Sequence, residues 1–159
     1  MNAPYEEIIA GESLLRYAPG ERHELVCRRL HDYVAACLVQ VTVARLLPPR
    51  TVIQLAPGTL VRPDLTLVTA ANGKPWLLAE VVESDDHRAD TVIKKNLYED
   101  LKIPRLWMVD PRYHNLEVYH GSPHGLALKQ IMAGREVLTE TLLPALAIKV
   151  TDLFDHLPA

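Results

Sequence analysis

Cysteine is scarce in this 159-residue sequence, with only Cys27 and Cys37 present. On one helix, positions ten apart stand about 15 Å from each other along the axis. A disulfide needs Cα atoms within about 7 Å, so the two are not expected to pair. Two thiols without a framework suit a reducing, cytoplasmic setting. No apolar run is long enough to span a bilayer. The first ten residues, MNAPYEEIIA, carry acids where a secretory leader needs bases, so none is expected. Positive charge is not in excess either: the formal net charge is −3 and the pI about 6.1. A chain that gripped nucleic acid through whole-body charge would be basic, so any such contact must be local. Repeats, low-complexity tracts, a Ser-His-Asp order, a phosphate loop, zinc spacing and a dinucleotide fingerprint are all missing.

What is there fits one domain over residues 1–159, with 48% hydrophobic residues to fill a core. Tyr5 to Tyr17 reads as a hairpin around Gly11. Pro19-Gly20 precedes a helical pattern from Glu21 to about Leu46, with Val26, Leu30, Tyr33, Val34, Cys37, Val41 and Ala44 on one stripe. Pro48-Pro49 is its expected stop. Strand-like segments follow at Thr51–Leu55, Leu60–Val68 and Trp76–Val82, punctuated by Pro57-Gly58 and Asn72-Gly73. Arg88 to about Lys102 reads as a second helix whose apolar face is Ala89, Ile93, Leu97 and Leu101. Arg105–Asp110 reads as a buried strand. Leu116–Tyr119, Leu126–Ile131 and Glu136–Leu138 read as an antiparallel meander, and Thr151–His156 as a short helix capped by Thr151. This order predicts an α/β or α+β fold with a mixed sheet.

Two acids stand out. Asp64 follows Pro63, and Glu80 sits inside the apolar run Trp76–Val82. An acid there is costly to bury without a partner, and Mg²⁺ is one partner that carboxylates commonly hold. Register decides whether the two can cooperate. Asp64 and Glu80 sum to 144, whereas a two-residue turn at Asn72-Gly73 pairs positions summing to 145. A one-residue slip flips every side chain, so shared metal binding requires an odd-length loop such as Ala70–Lys74, or a bulge. Asp90, Lys94 and Tyr98 recur every four residues and line one helix face. A lysine there can bury its stem and bring its ammonium to the sheet, where it could orient water and stabilise developing negative charge.

The segments VRPDLTLV, LLAEVVES, Asp90-x3-Lys94-x3-Tyr98 and RLWMVDP, in this order, resemble a family of small bacterial restriction endonucleases of the PD-(D/E)XK superfamily. The GES hairpin, His23 opening the long helix, and LLPALAIKVTDLF are also similar, so the resemblance covers nearly the whole chain. It implies a restriction-endonuclease-like mixed sheet flanked by helices, with extra antiparallel strands near the C-terminus. It implies Mg²⁺- or Mn²⁺-dependent cleavage of DNA. Asp64, Glu80 and the Val81 backbone (or that of Val82) would be metal ligands, Lys94 the water-orienting cation, and His23 a further catalytic residue. The superfamily's usual lysine position holds Val82, which shifts that role to Lys94 on the helix. A twofold homodimer is the expected assembly.

Each feature also has a plainer reading. Asp64 fits a turn acid, Glu80 half of a closed ion pair, and Asp90–Lys94 a surface pair. Tyr98 reads as packing, His23 as a structural histidine, and His120 and His124 as loop residues. Glu83, Asp85 and Asp86 add negative charge near the expected phosphate path, which motivates a non-catalytic binding or assembly protein on the same scaffold. Paired carboxylates also suit a glycosidase, although Lys94 has no use there.

Overall fold

The computed structural model describes residues 3–82 and 87–158. Glu83, Asp85 and Asp86 lie outside them. The N-terminal hairpin forms as the sequence suggests: β1 (Tyr5–Ile9) and β2 (Glu12–Arg16) reverse at Ala10-Gly11. Gly11 has φ of 81°, a value that glycine adopts at little cost.

Helix α1 spans Glu21–Cys37 and stops well before Leu46. Glu21 and Glu24 in its first turn suit the positive end of the helix dipole. Beyond Cys37 the chain turns, and β3 (Ala44–Leu46) pairs with β6 instead of extending the helix. Val41 and Ala44 fall on the helical stripe, but the run Val39–Val43 is rich in β-branched residues that favour a strand.

The expected strand Leu60–Val68 is two strands in different sheets: β5 (Thr59–Val61) and β6 (Leu65–Thr69). Arg62-Pro63-Asp64 forms the corner between them, where Pro63 has no N–H to offer a ladder. β4 (Ile53–Ala56) pairs with β5, and β1 joins them to give the order β2-β1-β5-β4.

The larger sheet follows the order β10-β9-β8-β7-β6-β3. It contains β7 (Pro75–Val81), β8 (Arg105–Asp110), β9 (Asn115–Ser122) and β10 (Gly125–Ala133). Only β7 and β8 run parallel, and a helical segment crosses between them as parallel pairing requires. That segment begins with a π-helical stretch, Ala89–Lys94, and continues as α2 (Lys95–Asp100). The last strands, β11 (Val137–Glu140) and β12 (Leu143–Lys149), form a separate pair; the sequence pattern did not suggest β12. Helix α3 (Val150–Phe154) starts one residue earlier than expected, with Lys149 rather than Thr151 at its cap. His120 lies within β9, and His124 lies in the turn to β10. The fold is mixed α+β, with several sheets and few helices. No described helix is long and apolar enough to cross a membrane.

The large sheet is covered on both faces. Leu65, Leu67, Leu77, Ala79 and Val81 pack with Val26, Leu30 and Val34 of α1 and with Leu153 and Phe154 of α3. Leu78, Val82, Leu106 and Met108 form a second core with Tyr98 and Ile103. Glu80 alternates with Leu78 and Val82, so its side chain enters the second core.

Candidate metal centre

The β6–β7 register pairs Leu65 with Ala79 and Thr66 with Leu78, and then shifts at a bulge between Leu67 and Val68. These pairs sum to 144, and one further step sets Asp64 across from Glu80. The bulge thus supplies the odd offset that a tight Asn72-Gly73 turn lacks.

Glu80 is 1% exposed and Lys94 fully buried, with Lys94 Nζ 2.7 Å from Glu80 Oε2 and 2.8 Å from Glu7 Oε2. The hydroxyl of Tyr98 donates to the same Glu80 oxygen, so this tyrosine does more than fill space. Glu7 is bound in turn by Arg16 at 2.6 Å and by the Arg62 N–H at 2.7 Å. Arg16 also pairs with Asp90 at 2.9 Å. The buried side of the second helical segment is therefore its polar row, Asp90-Lys94-Tyr98, whereas Ile93, Leu97 and Leu101 are only half-buried. The plain surface-pair reading of Asp90 and Lys94 fails, because neither touches solvent.

Asp64 has different partners. Its Oδ2 accepts the Val81 N–H at 2.8 Å and lies 3.3 Å from His23 Nε2. Its Oδ1 lies 3.3 Å from Arg50, which also holds Glu24 at 2.7 Å. Asp64's own carbonyl accepts from His31 Nε2 at 2.7 Å. Arg50 makes these bonds from a left-handed backbone, φ 55°, an uncommon conformation for a side-chain-bearing residue. Cys27 lies one helical turn after His23, with Sγ 3.6 Å from His23 Nδ1. Cys27 and Cys37 are both free thiols, as expected.

The charges of the two halves feel each other. Burial raises the Glu80 pKa, Lys94 draws it down, and Asp90, Asp64 and Glu7 push it back up, to about 8. Burial likewise raises Asp90, only partly offset by Arg16 and Lys94, to about 6. Asp64 moves the other way. Burial would raise it, but His23 and Lys94 hold it below the ordinary carboxylate range. Burial opposes the charge on His23 and on Lys94, yet their acid neighbours keep both above their ordinary values. Burial pushes the Cys27 thiol up to about 12.

Among the described residues, Glu7, Glu80 and Asp90 pair with two cations, Arg16 and Lys94. Asp90 Oδ2 is buried with no hydrogen-bond partner among the described residues. In an extended strand, a residue's N–H and C=O point the same way. Because the Val81 N–H faces Asp64, its carbonyl turns to that side too. Clustered carboxylate oxygens and a nearby carbonyl fit a hard divalent cation.

Sequence reasoning missed Glu7, Arg16, Arg50 and Cys27. A signal for Glu7 was present, since Tyr5, Glu7 and Ile9 alternate on one hairpin face and place an acid among residues that pack inward.

The family model of Uma2, described as "Putative restriction endonuclease", matches residues 4–151. No curated protein matches the chain. Among solved structures, a crystal structure described as a putative nuclease of DUF820 from Anabaena variabilis superposes with a TM-score of 0.79. Its identity is 14%, and the alignment covers 95% of this chain and 90% of that one.

Proposed function

Because this chain belongs to the Uma2 family, we propose that it is a metal-dependent endonuclease that hydrolyses DNA phosphodiester bonds at the centre built around Glu80. The observation that carries this reading is the contact of Lys94 Nζ with Glu80, buried opposite Asp64 in a register that fits shared use of the two acids. Asp64, Glu80 and the Val81 carbonyl would hold Mg²⁺ or Mn²⁺. Such an ion lowers the pKa of water and polarises a phosphate.

The protein's own groups have separable tasks. Glu7 and Glu80 hold the Lys94 ammonium in place, and from there it orients the attacking water. Tyr98 fixes the Glu80 carboxylate through Oε2, the oxygen that also meets Lys94. His23 binds Asp64 and sets the direction of its carboxylate. Mn²⁺-dependent nicking of plasmid DNA tests the reading. Glu80→Ala and Lys94→Ala should both abolish it, and full activity in both variants would refute the mechanism.

A second reading has its own support. Asp64, Glu80 and Lys94 are each at most 3% exposed, and both Asp64 oxygens already face protein donors. A scaffold that binds a partner without cleaving DNA would tolerate such closure. Metal titration separates the two: a nuclease gains thermal stability from millimolar Mn²⁺ through Asp64 and Glu80, and a non-catalytic scaffold does not.

A further inference from the structure

Three buried ligand atoms of different chemistry meet beside the proposed centre. One nitrogen of His23, the sulfur of Cys27 and an oxygen of Asp64 all lie within 4.8 Å of one another. The two α1 residues are one turn apart and so share a face, and the corner after Pro63 brings Asp64 to them.

The nitrogen–oxygen spacing is that of a metal shell, and the sulfur stands a few tenths of an ångström outside it. With bonds of about 2.3 Å to sulfur and about 2.0–2.1 Å to nitrogen and oxygen, tetrahedral ligands stand roughly 3.3 Å (N to O) and 3.6 Å (S to N) apart. Here His23 Nε2 lies 3.3 Å from Asp64 Oδ2 and 4.0 Å from Cys27 Sγ. The outer arrangement supports the same assignment. His23 Nδ1 lies 3.2 Å from Glu24 Oε1, the carboxylate–histidine pairing that typically orients a metal-bound imidazole. A thiolate and an imidazole favour zinc-like ions over magnesium.

We propose that His23, Cys27 and Asp64 form a second cation site, selective for a thiophilic divalent ion such as Zn²⁺, which competes with the Glu80 centre for Asp64. The competition rests on the reading of Asp64 as a ligand of that centre; the site itself does not. Binding replaces two protons with one Zn²⁺. The thiol proton leaves Sγ, the proton between Nε2 and Oδ2 leaves the imidazole, and both pass to solvent. The buried cluster therefore keeps its net charge, as side chains only about 5% exposed demand. Arg50, with its side chain 21% exposed, bonds both Asp64 and Glu24 and is the group that must swing aside. Zinc would thus inhibit an enzyme that magnesium activates.

Cadmium titration of the full chain tests this, because thiolate-bound Cd²⁺ gives a charge-transfer band in the ultraviolet. The expected result is one Cd²⁺ per chain with that band. Cys37→Ser and Glu80→Gln should keep it, and Cys27→Ser and Cys27→Ala should lose it. Glu24→Gln should weaken binding about tenfold. Far-ultraviolet circular dichroism checks that each variant is folded, and His23→Gln provides a second loss variant if Cys27 cannot be replaced. A band that persists without Cys27, or no band in the parent protein, overturns the site. A Cys27-dependent band in a protein that never binds Mn²⁺ leaves the site standing and refutes the Glu80 centre instead.

Discussion

Glu7 and Lys94 lie 2.8 Å apart with neither side chain exposed to solvent, although one comes from the N-terminal hairpin and the other from the π-helical turn. The hairpin is therefore part of the centre, because the lysine proposed to act on water is held from outside the large sheet.

Removing one partner of such a pair strands a buried charge. Glu7→Ala should cost about 3–5 kcal/mol of folding stability. Arg112→Ala, which breaks the partly exposed Asp110–Arg112 pair, should cost less than about 1 kcal/mol. Urea denaturation of the two variants measures the contrast. Similar losses would mean that Glu7 is not holding a buried cation.

The pKa shifts set a pH dependence for the metal-free protein. Glu80 titrates near 8 when folded and near 4.5 when unfolded. Between those values the folded state binds more protons than the unfolded chain, so stability falls as pH rises. Asp90, raised to about 6, adds to the lower part of that window. His23 is also raised, and its contribution is lost from about its unfolded value of 6.5 upward, in the same direction. Glu24, lowered to about 2, acts only in acid, where its contribution fades as pH falls. Thermal unfolding followed from pH 5 to pH 8 should therefore show a decline, and Glu80→Gln should flatten it.

Lys94→Met leaves Glu7 and Glu80 facing each other without their shared cation. The variant should lose about 3–5 kcal/mol. Millimolar Mn²⁺ should then stabilise it more than it stabilises the parent protein, because the ion replaces the missing charge. Melting temperatures with and without Mn²⁺ read this out. Equal shifts in both proteins would count against a cation beside Glu80.

Arg50 bonds Asp64 and would compete with an ion proposed to bind there. Arg50→Gly removes that competition and also relieves the left-handed backbone at this position. Mn²⁺ affinity should rise about tenfold, roughly 1.4 kcal/mol. Isothermal titration measures it, and weaker binding would show that Arg50 supports the ion instead of excluding it.

Much of the centre was legible in local text. Glu80 announced itself as an acid inside an apolar strand, and the sum of its number with Asp64 told which turn offset would align the pair. Lys94 was legible as a position in a four-residue row. Its depth was not: the row Ala89-Ile93-Leu97 looked like the buried face, and the polar row took that place because Glu7, Glu80 and Arg16 were waiting to pair with it. Those partners come from the hairpin and from β7, and no window of sequence contains them. The end of α1 was misread for a related reason. Val41 and Ala44 suit a helix by spacing, and only the pairing of β3 with β6 decides otherwise.

Two hydrogen bonds of the centre join residues far apart along the chain: 74 positions separate Arg16 from Asp90, and 55 separate Glu7 from Arg62. Contacts of such long range form late, after most of the loop-closure entropy has been lost. A fragment without the hairpin would lack Glu7 and Arg16, and a half-folded intermediate would expose charges without their partners. The proposed activity and global folding should therefore appear together in time, so a refolding protein would show no nicking before its last strands dock.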